Sequence, residues 1–246
     1  GFDTSSVTDM SQMFQDCSSL TTLNVSGFDT SNVTNMSEMF RYCISLITLD
    51  LSGFDTSSVT DMTQMLRDCL SLTAIDLSGL DTSSVTDMGS MFYNCQSLTT
   101  LDVSSFNTSS VGDMSSMFGR CESLPTLDLS GFDTSNLYFS LGMFYDCPSL
   151  TAIDLSGFNT SNLFYMGFMF TNCPSLQNLD IAGWDITSLI QYDFLSAGNF
   201  LAGSNLALTT AEYDQVLINW AAQAVPSGIT INFGDATYTA GGAAEA

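Results

Sequence analysis

The side chains with the most chemistry to offer in this chain are carboxylates, and they recur at a fixed spacing. One column reads Asn24, Asp50, Asp76, Asp102, Asp128, Asp154, Asp180. A second reads Asp3, Asp29, Asp55, Asp81, Asn107, Asp133, Asn159, Asp185. All seven cysteines form a third: Cys17, Cys43, Cys69, Cys95, Cys121, Cys147, Cys173. Stacked carboxylates could bridge calcium between layers, because hard cations take oxygen ligands. They could also face a cationic or hydroxyl-rich partner. The remaining reading is structural: water and hydrogen bonds from Ser and Thr offset the repulsion, with some carboxyl pKa values raised.

Catalysis needs more than this set provides. The chain holds three Arg, no Lys and no His. Nucleophiles activated by His are therefore excluded, as are a Schiff base and a P-loop lysine. A carboxylate pair doing acid and base work needs two environments that separate the pKa values. A uniform ladder repeats one environment, so an enzyme is not expected. Cysteines 26 residues apart match no zinc pattern. Seven is odd, and stacked Cβ atoms run parallel rather than converging, so buried free thiols are expected.

The columns exist because the sequence repeats. Copies begin at Gly1, Gly27, Gly53, Gly79, Ser105, Gly131 and Gly157, with a partial eighth at Gly183. All thirteen methionines fall in two further columns. A fixed period of this length marks a solenoid. In each unit, Leu49 and Leu51 alternate with Thr48 and Asp50, as in a half-buried strand. Val7, Met10, Met13, Phe14 and Cys17 follow helical spacing, and Ser6-Val7-Thr8-Asp9 fits a capping box. The expected fold is an α/β repeat solenoid, leucine-rich-repeat-like. Each 26-residue coil carries one short parallel strand and one short helix, stacked at about 4.8 Å per coil. In the second acidic column Asn replaces Asp freely, which points to Asx turns rather than to charge.

The segment Leu-Asp-Leu-Ser-Gly-Phe-Asp-Thr-Ser-Asn-Val-Thr-Asn-Met-Ser-x-Met-Phe-x-x-Cys resembles the BspA-type leucine-rich-repeat surface proteins, the DUF285 family, over residues 1 to about 190. The resemblance implies export, a leucine-rich-repeat-like solenoid, and roles in adhesion or host contact. It carries no catalytic residue. Coils six and seven depart from the motif, with Tyr138, Phe139, Phe164, Tyr165 and Phe168 at positions elsewhere mostly polar. These rings are either a ligand patch or the seat of a C-terminal helix.

After Trp184 the period fails. Residues 191–246 read as an α+β cap: a loop from Asn199 to Leu208, a helix at about 211–224 capped by Thr209 or Thr210, and a strand at about 229–233. Tyr213 and Trp220 on the helix would fold over the aromatic coils. Both ends read as cut from a longer protein.

Hydrophobic residues make up 45% of the chain, so a core rather than disorder is expected despite a net charge of −23. That charge argues against nucleic acid and anionic membrane surfaces. No apolar run is long enough to span a bilayer. The functional expectation is a non-enzymatic extracellular or cell-surface module that binds a protein or glycan. Candidate contacts on the strand face are Thr48, Asp50, Asp76, Thr100, Asp102, Thr126, Asp128, Asp154 and Asp180. Calcium, if bound, would sit among Asp50, Asp76, Asp102 and Asp128. The alternatives are a structural part of a larger assembly contacting neighbouring subunits, such as a surface stalk or a virion fibre, and an ice-binding Thr array.

Overall fold

The computed structural model describes residues 3–177, 179–190, 198–204, 210–227, 229, 231 and 233. The strands form where the alternation places them. β1 is Thr22–Leu23, β2 Thr48–Asp50, β3 Ala74–Asp76, β4 Thr126–Leu127 and β5 Ala152–Ile153. All pairs are parallel and in register, with Leu23 beside Leu49 and Leu49 beside Ile75. Among the described residues the expected continuous sheet is instead two sheets, β1-β2-β3 and β4-β5. Residues 100–102 of coil four lie between them outside any strand.

The expected helix in each coil is absent. Residues 10–17 form a chain of tight turns, and the same shape recurs in every later coil. Met13, Gln15 and Cys17 donate backbone N–H groups three residues back, to Met10, Gln12 and Phe14. The alternate residues Met10, Gln12, Phe14 and Asp16 donate to carbonyls of the next coil, at Asn35, Ser37, Met39 and Arg41, over 2.8–3.0 Å. An α-helix would direct all its N–H groups inward along its own axis and leave none to join coils. Two residues per coil adopt left-handed backbone, such as Gln12 and Asp16, Glu38 and Tyr42, or Ser90 and Asn94. A right-handed helix excludes that. Successive three-residue turns also bury positions i, i+3, i+4 and i+7, so the apolar spacing imitates a helix. The Ser-x-x-Asp motif therefore caps no helix; Asp9 accepts the Ser11 N–H at 2.8 Å in an Asx turn.

The core is a set of ladders. Met36, Met39, Phe40, Cys43 and Leu46 are fully buried, as are their counterparts in the middle coils. Phe92, Phe118, Phe144 and Phe170 stack at 5.2–5.9 Å with nearly parallel rings. The cysteines are unpaired, with all but Cys17 buried. Each thiol from Cys43 onward donates to a carbonyl of the preceding coil, as Cys69 does to Phe40 at 3.3 Å.

The repeat also outlasts its apparent end. The segment expected as a loop from Asn199 contains the turn half of an eighth coil. Phe168, Phe170 and Asn172 donate to the carbonyls of Gly198, Phe200 and Ala202. Asn199 and Gly203 take the two left-handed positions. Ser204 stands in the cysteine column and donates to the Phe170 carbonyl. It follows Cys173 by 31 residues rather than 26, so five extra residues precede it and hide the period. Residues 205–208 of the expected loop lie outside the described residues.

Beyond this coil, α1 runs Thr210–Ala221. It closes the end of the stack: Asn219 donates to the Ala182 carbonyl, and Gln223, just past the helix, to that of Trp184, each at 2.8 Å. Tyr213, Trp220 and Phe233 bury their rings around Phe200 and one another. The expected capping residue Thr209 is outside the described residues, as is the Thr210 side chain. Residues 228, 230 and 232 of the expected strand are likewise outside, while Ile229, Ile231 and Phe233 pack on the core.

Candidate recognition surface

Three outward acidic columns run along the solenoid, and in each the carboxylate closes a turn. In the strand column, Asp50 accepts the Ser52 N–H at 2.9 Å and Asp76 the Ser78 N–H at 3.0 Å; Asp102, Asp128 and Asp154 repeat this. Asp180 accepts from Ala182. The Ser hydroxyl and N–H hold Asp50, Asp76 and Asp102 below the usual carboxylate range; at Asp128 and Asp154 the N–H is the larger cause, then the hydroxyl. The raised values expected for this column are thus corrected, because hydrogen bonds to the ionised form outweigh repulsion from neighbours. Thr48, Thr100 and Thr126 are exposed beside these residues. Among the described residues no three carboxylates or thiols converge on one point that could hold a metal ion.

The second column makes the same turn. Asp29, Asp55, Asn107 and Asn159 each accept the N–H and hydroxyl of the serine two residues on, at 2.6–3.1 Å. Asn and Asp are equivalent there because one side-chain oxygen is all the turn requires.

The third column is the informative one. Asp9, Asn35, Asp61, Asp87 and Asp113 bridge coil to coil in parallel, and the same line continues through Phe139 to Tyr165. Asn35, Asp61, Asp87 and Asp113 are half-buried. Burial pushes the Asp87 carboxyl up, and the Asp113 and Asp61 charges add to it. One residue earlier, Thr34, Thr60 and Thr86 each donate a hydroxyl hydrogen bond to the Thr of the preceding coil. Coils six and seven replace both polar columns by rings. Tyr138 stacks on Phe164 at 5.4 Å and Phe139 on Tyr165 at 5.5 Å, while Phe139 meets Phe164 edge-on at 6.3 Å. Tyr138 is 37% exposed and the other three rings are half-buried.

Coil five accommodates this step. Gly112 stands where earlier coils have Thr, and a Cβ there would meet the Tyr138 ring at 3.2 Å. Phe168 belongs to a different column, the left-handed one of Gln12, Glu38 and Gln64, with φ of 60°. From α1, Asn219 reaches the Ala182 carbonyl and Trp220 meets Phe200 at the end of the stack.

The three arginines lie elsewhere. Arg41 and Arg67 sit over the rings of Tyr42 and Tyr93 at 4.8 and 4.7 Å. Arg41 pairs with Glu38, Arg67 with Asp68, and Arg120 with Glu122 and Asp146. Sequence reasoning missed the Thr column inside the second acidic turn. Thr30, Thr56, Thr82, Thr108, Thr134 and Thr160 are all buried, and most donate to a backbone carbonyl of the next coil. Its signal was present, since Thr holds this position in all seven full copies, from Thr4 to Thr160.

The family described as "Mycoplasma protein of unknown function, DUF285" matches this chain over residues 1–100, 70–184 and 99–206. The last match ends just beyond Ser204 of the eighth coil. Among curated proteins none matches. Two solved structures are similar at 16% identity. One is a leucine-rich repeat protein from Bacteroides ovatus, with 76% of this chain and 45% of that one covered and a TM-score of 0.35. The other is a leucine rich cell surface protein from Faecalibacterium prausnitzii, with 84% and 78% covered and a TM-score of 0.27. This chain thus spans less than half the length of the first. No described helix is long and apolar enough to cross a membrane.

Proposed function

The chain belongs to the DUF285 family, and we propose that it is a leucine-rich-repeat-like, non-catalytic recognition module displayed on a cell surface, binding through the aromatic step of coils six and seven. The observation that carries this reading is the replacement at Tyr138, Phe139, Phe164 and Tyr165. Coils one to four stack through the same two columns with Thr and Asp or Asn, coil five with Gly112 and Asp113, and every backbone bridge there is made. The rings are therefore surplus to the stacking, yet four of them sit together on the outside. Partly exposed aromatics in a cluster mark interaction surfaces.

The test is to restore the polar pattern in the variant Y138T/F139N/F164T/Y165N. Arrays of immobilised cell-surface proteins and glycans are probed with both chains. Binding by the wild type that disappears in the variant supports the reading. Binding unaffected by the change would place recognition on another face, such as the strand column of Asp50 to Asp180.

A further inference from the structure

The partner class follows from what borders the rings, given the reading above that they form the recognition surface. The line of Phe139 and Tyr165 is continuous with Asp113 and Asp87, one coil step at a time. Each of these carboxylates uses Oδ1 to close its own turn, accepting the N–H of Ser115 or Gly89. Asp87 is also reached by the Thr63 side chain. Asp61, Asp87 and Asp113 are half-buried like charges in one file, and each gains from a nearby cation. The ring edges add apolar surface along which the aliphatic stem of a basic side chain packs.

This chain cannot supply that cation. It has no Lys and no His, and its three Arg are all placed over Tyr42 or Tyr93 or beside Glu38, Asp68, Glu122 and Asp146. A cation on the strip must come from outside. A net charge of −23 disfavours nucleic acid, anionic lipid and sulfated glycan, and it draws basic molecules toward the surface.

We propose that the strip of Tyr138, Phe139, Phe164 and Tyr165 with Asp113 and Asp87 docks an extended basic polypeptide segment. Lysine or arginine stems lie along the ring edges, with their charged heads beside the carboxylates. The dimensions agree. From coil four to coil seven are three coil steps, about 14 Å at the inter-strand spacing. Side chains at i, i+2 and i+4 of an extended chain point the same way and span about 13–14 Å. A segment with basic residues at alternate positions therefore lays three cations along the strip.

The experiment is isothermal titration of the whole chain with a nine-residue peptide alternating arginine and serine, in low and in physiological salt. A neutral oligosaccharide panel is run beside it. Two variants are compared: Y138T/F139N/F164T/Y165N, and D87N/D113N, whose turns remain intact because Asn35 already makes one. The proposal expects peptide binding that weakens tenfold or more in each variant and weakens with salt. Equal affinity in the ring variant reduces the binding to general attraction by an acidic surface and overturns the proposal. Should that variant not fold, unchanged affinity in D87N/D113N overturns it equally. Ring-dependent binding of a neutral glycan without peptide binding overturns this partner class and leaves the recognition surface standing. Binding of neither class sinks both.

Discussion

The Thr30 hydroxyl bridges both backbone groups of Asp55 in the next coil: it accepts the Asp55 N–H at 2.8 Å and donates to the Asp55 carbonyl at 2.9 Å. Thr82 does the same to Asn107 and Thr134 to Asn159. The hydroxyl substitutes for a strand pair at the corner where the chain turns. Replacing Thr82 by Val keeps the shape and strands one buried donor and one acceptor. Unfolding in urea is expected to show a loss of about 1–3 kcal/mol. An unchanged midpoint and slope would mean that water satisfies the corner.

The turn-and-ladder account of residues 10–17 and their repeats makes an opposite prediction from a helix. Ser90 has a φ of 56°. A left-handed site penalises β-branched residues, so Ser90→Val should cost about 1–2 kcal/mol, whereas Ser90→Gly should be neutral or stabilising. In a helix interior, glycine would be the worse of the two. Thermal melts of the two variants decide it. Gly142 in the same column, also left-handed at 60°, shows that the site takes glycine.

Much of this was legible in the sequence, and the misreadings have particular causes. The period, the strand at Thr48–Asp50 and the burial of the Met, Phe and Cys columns all follow from residue type and spacing. The helix did not survive because three-residue turns and helices bury the same positions; only the left-handed residues separate them, and Gln12, Glu38 and Tyr42 announce no such preference. Coil eight was hidden by five inserted residues and by changes at its markers, with Phe200 in a Met column and Ser204 in the Cys column. The four rings were visible as departures from the repeat. Their pairwise stacking needed coordinates, as did the role of Gly112 beneath Tyr138.

The thiol ladder is chemically silent in the native state. Cys17 alone is partly exposed, so alkylation at pH 8 should modify one cysteine of seven until denaturant is added. Burial pushes Cys43 up to about 11 and Cys121 and Cys173 to about 12. A thiol pKa raised by folding means that the folded state holds its protons while the unfolded chain releases them. Stability is therefore fully present below the ordinary thiol value of 9.0 and falls as pH rises through the folded values. Unfolding midpoints should drop steeply above pH 9, and Cys121→Ala should flatten that slope. A midpoint flat to pH 11 contradicts the burial of the ladder.

The acidic columns are turn caps, so calcium should be dispensable. Chelator should leave the melting temperature unchanged, and Asp76→Asn should keep or slightly lower it at neutral pH, since the amide retains the turn but forgoes the stronger hydrogen bonds made to the ionised carboxylate. The carboxyls held low by their serines contribute stability above the ordinary Asp range, lost as pH falls through their folded values. The melt of Asp76→Asn should accordingly be less sensitive to acid than that of the wild type. A large calcium-dependent rise in melting temperature would contradict this assignment.

The central claim is that the rings at Tyr138, Phe139, Phe164 and Tyr165 exist for a partner and not for the stack. Equilibrium unfolding of Y138T/F139N/F164T/Y165N tests it without knowledge of any ligand. Ring stacking is worth about 0.5–1.5 kcal/mol per pair, and the restored Thr and Asn hydrogen bonds offset losses of that order. The account predicts a folded chain with stability within about 1–2 kcal/mol of the wild type. A loss of about 4–5 kcal/mol, the size expected for emptying a core aromatic site, would make the rings structural and contradict it.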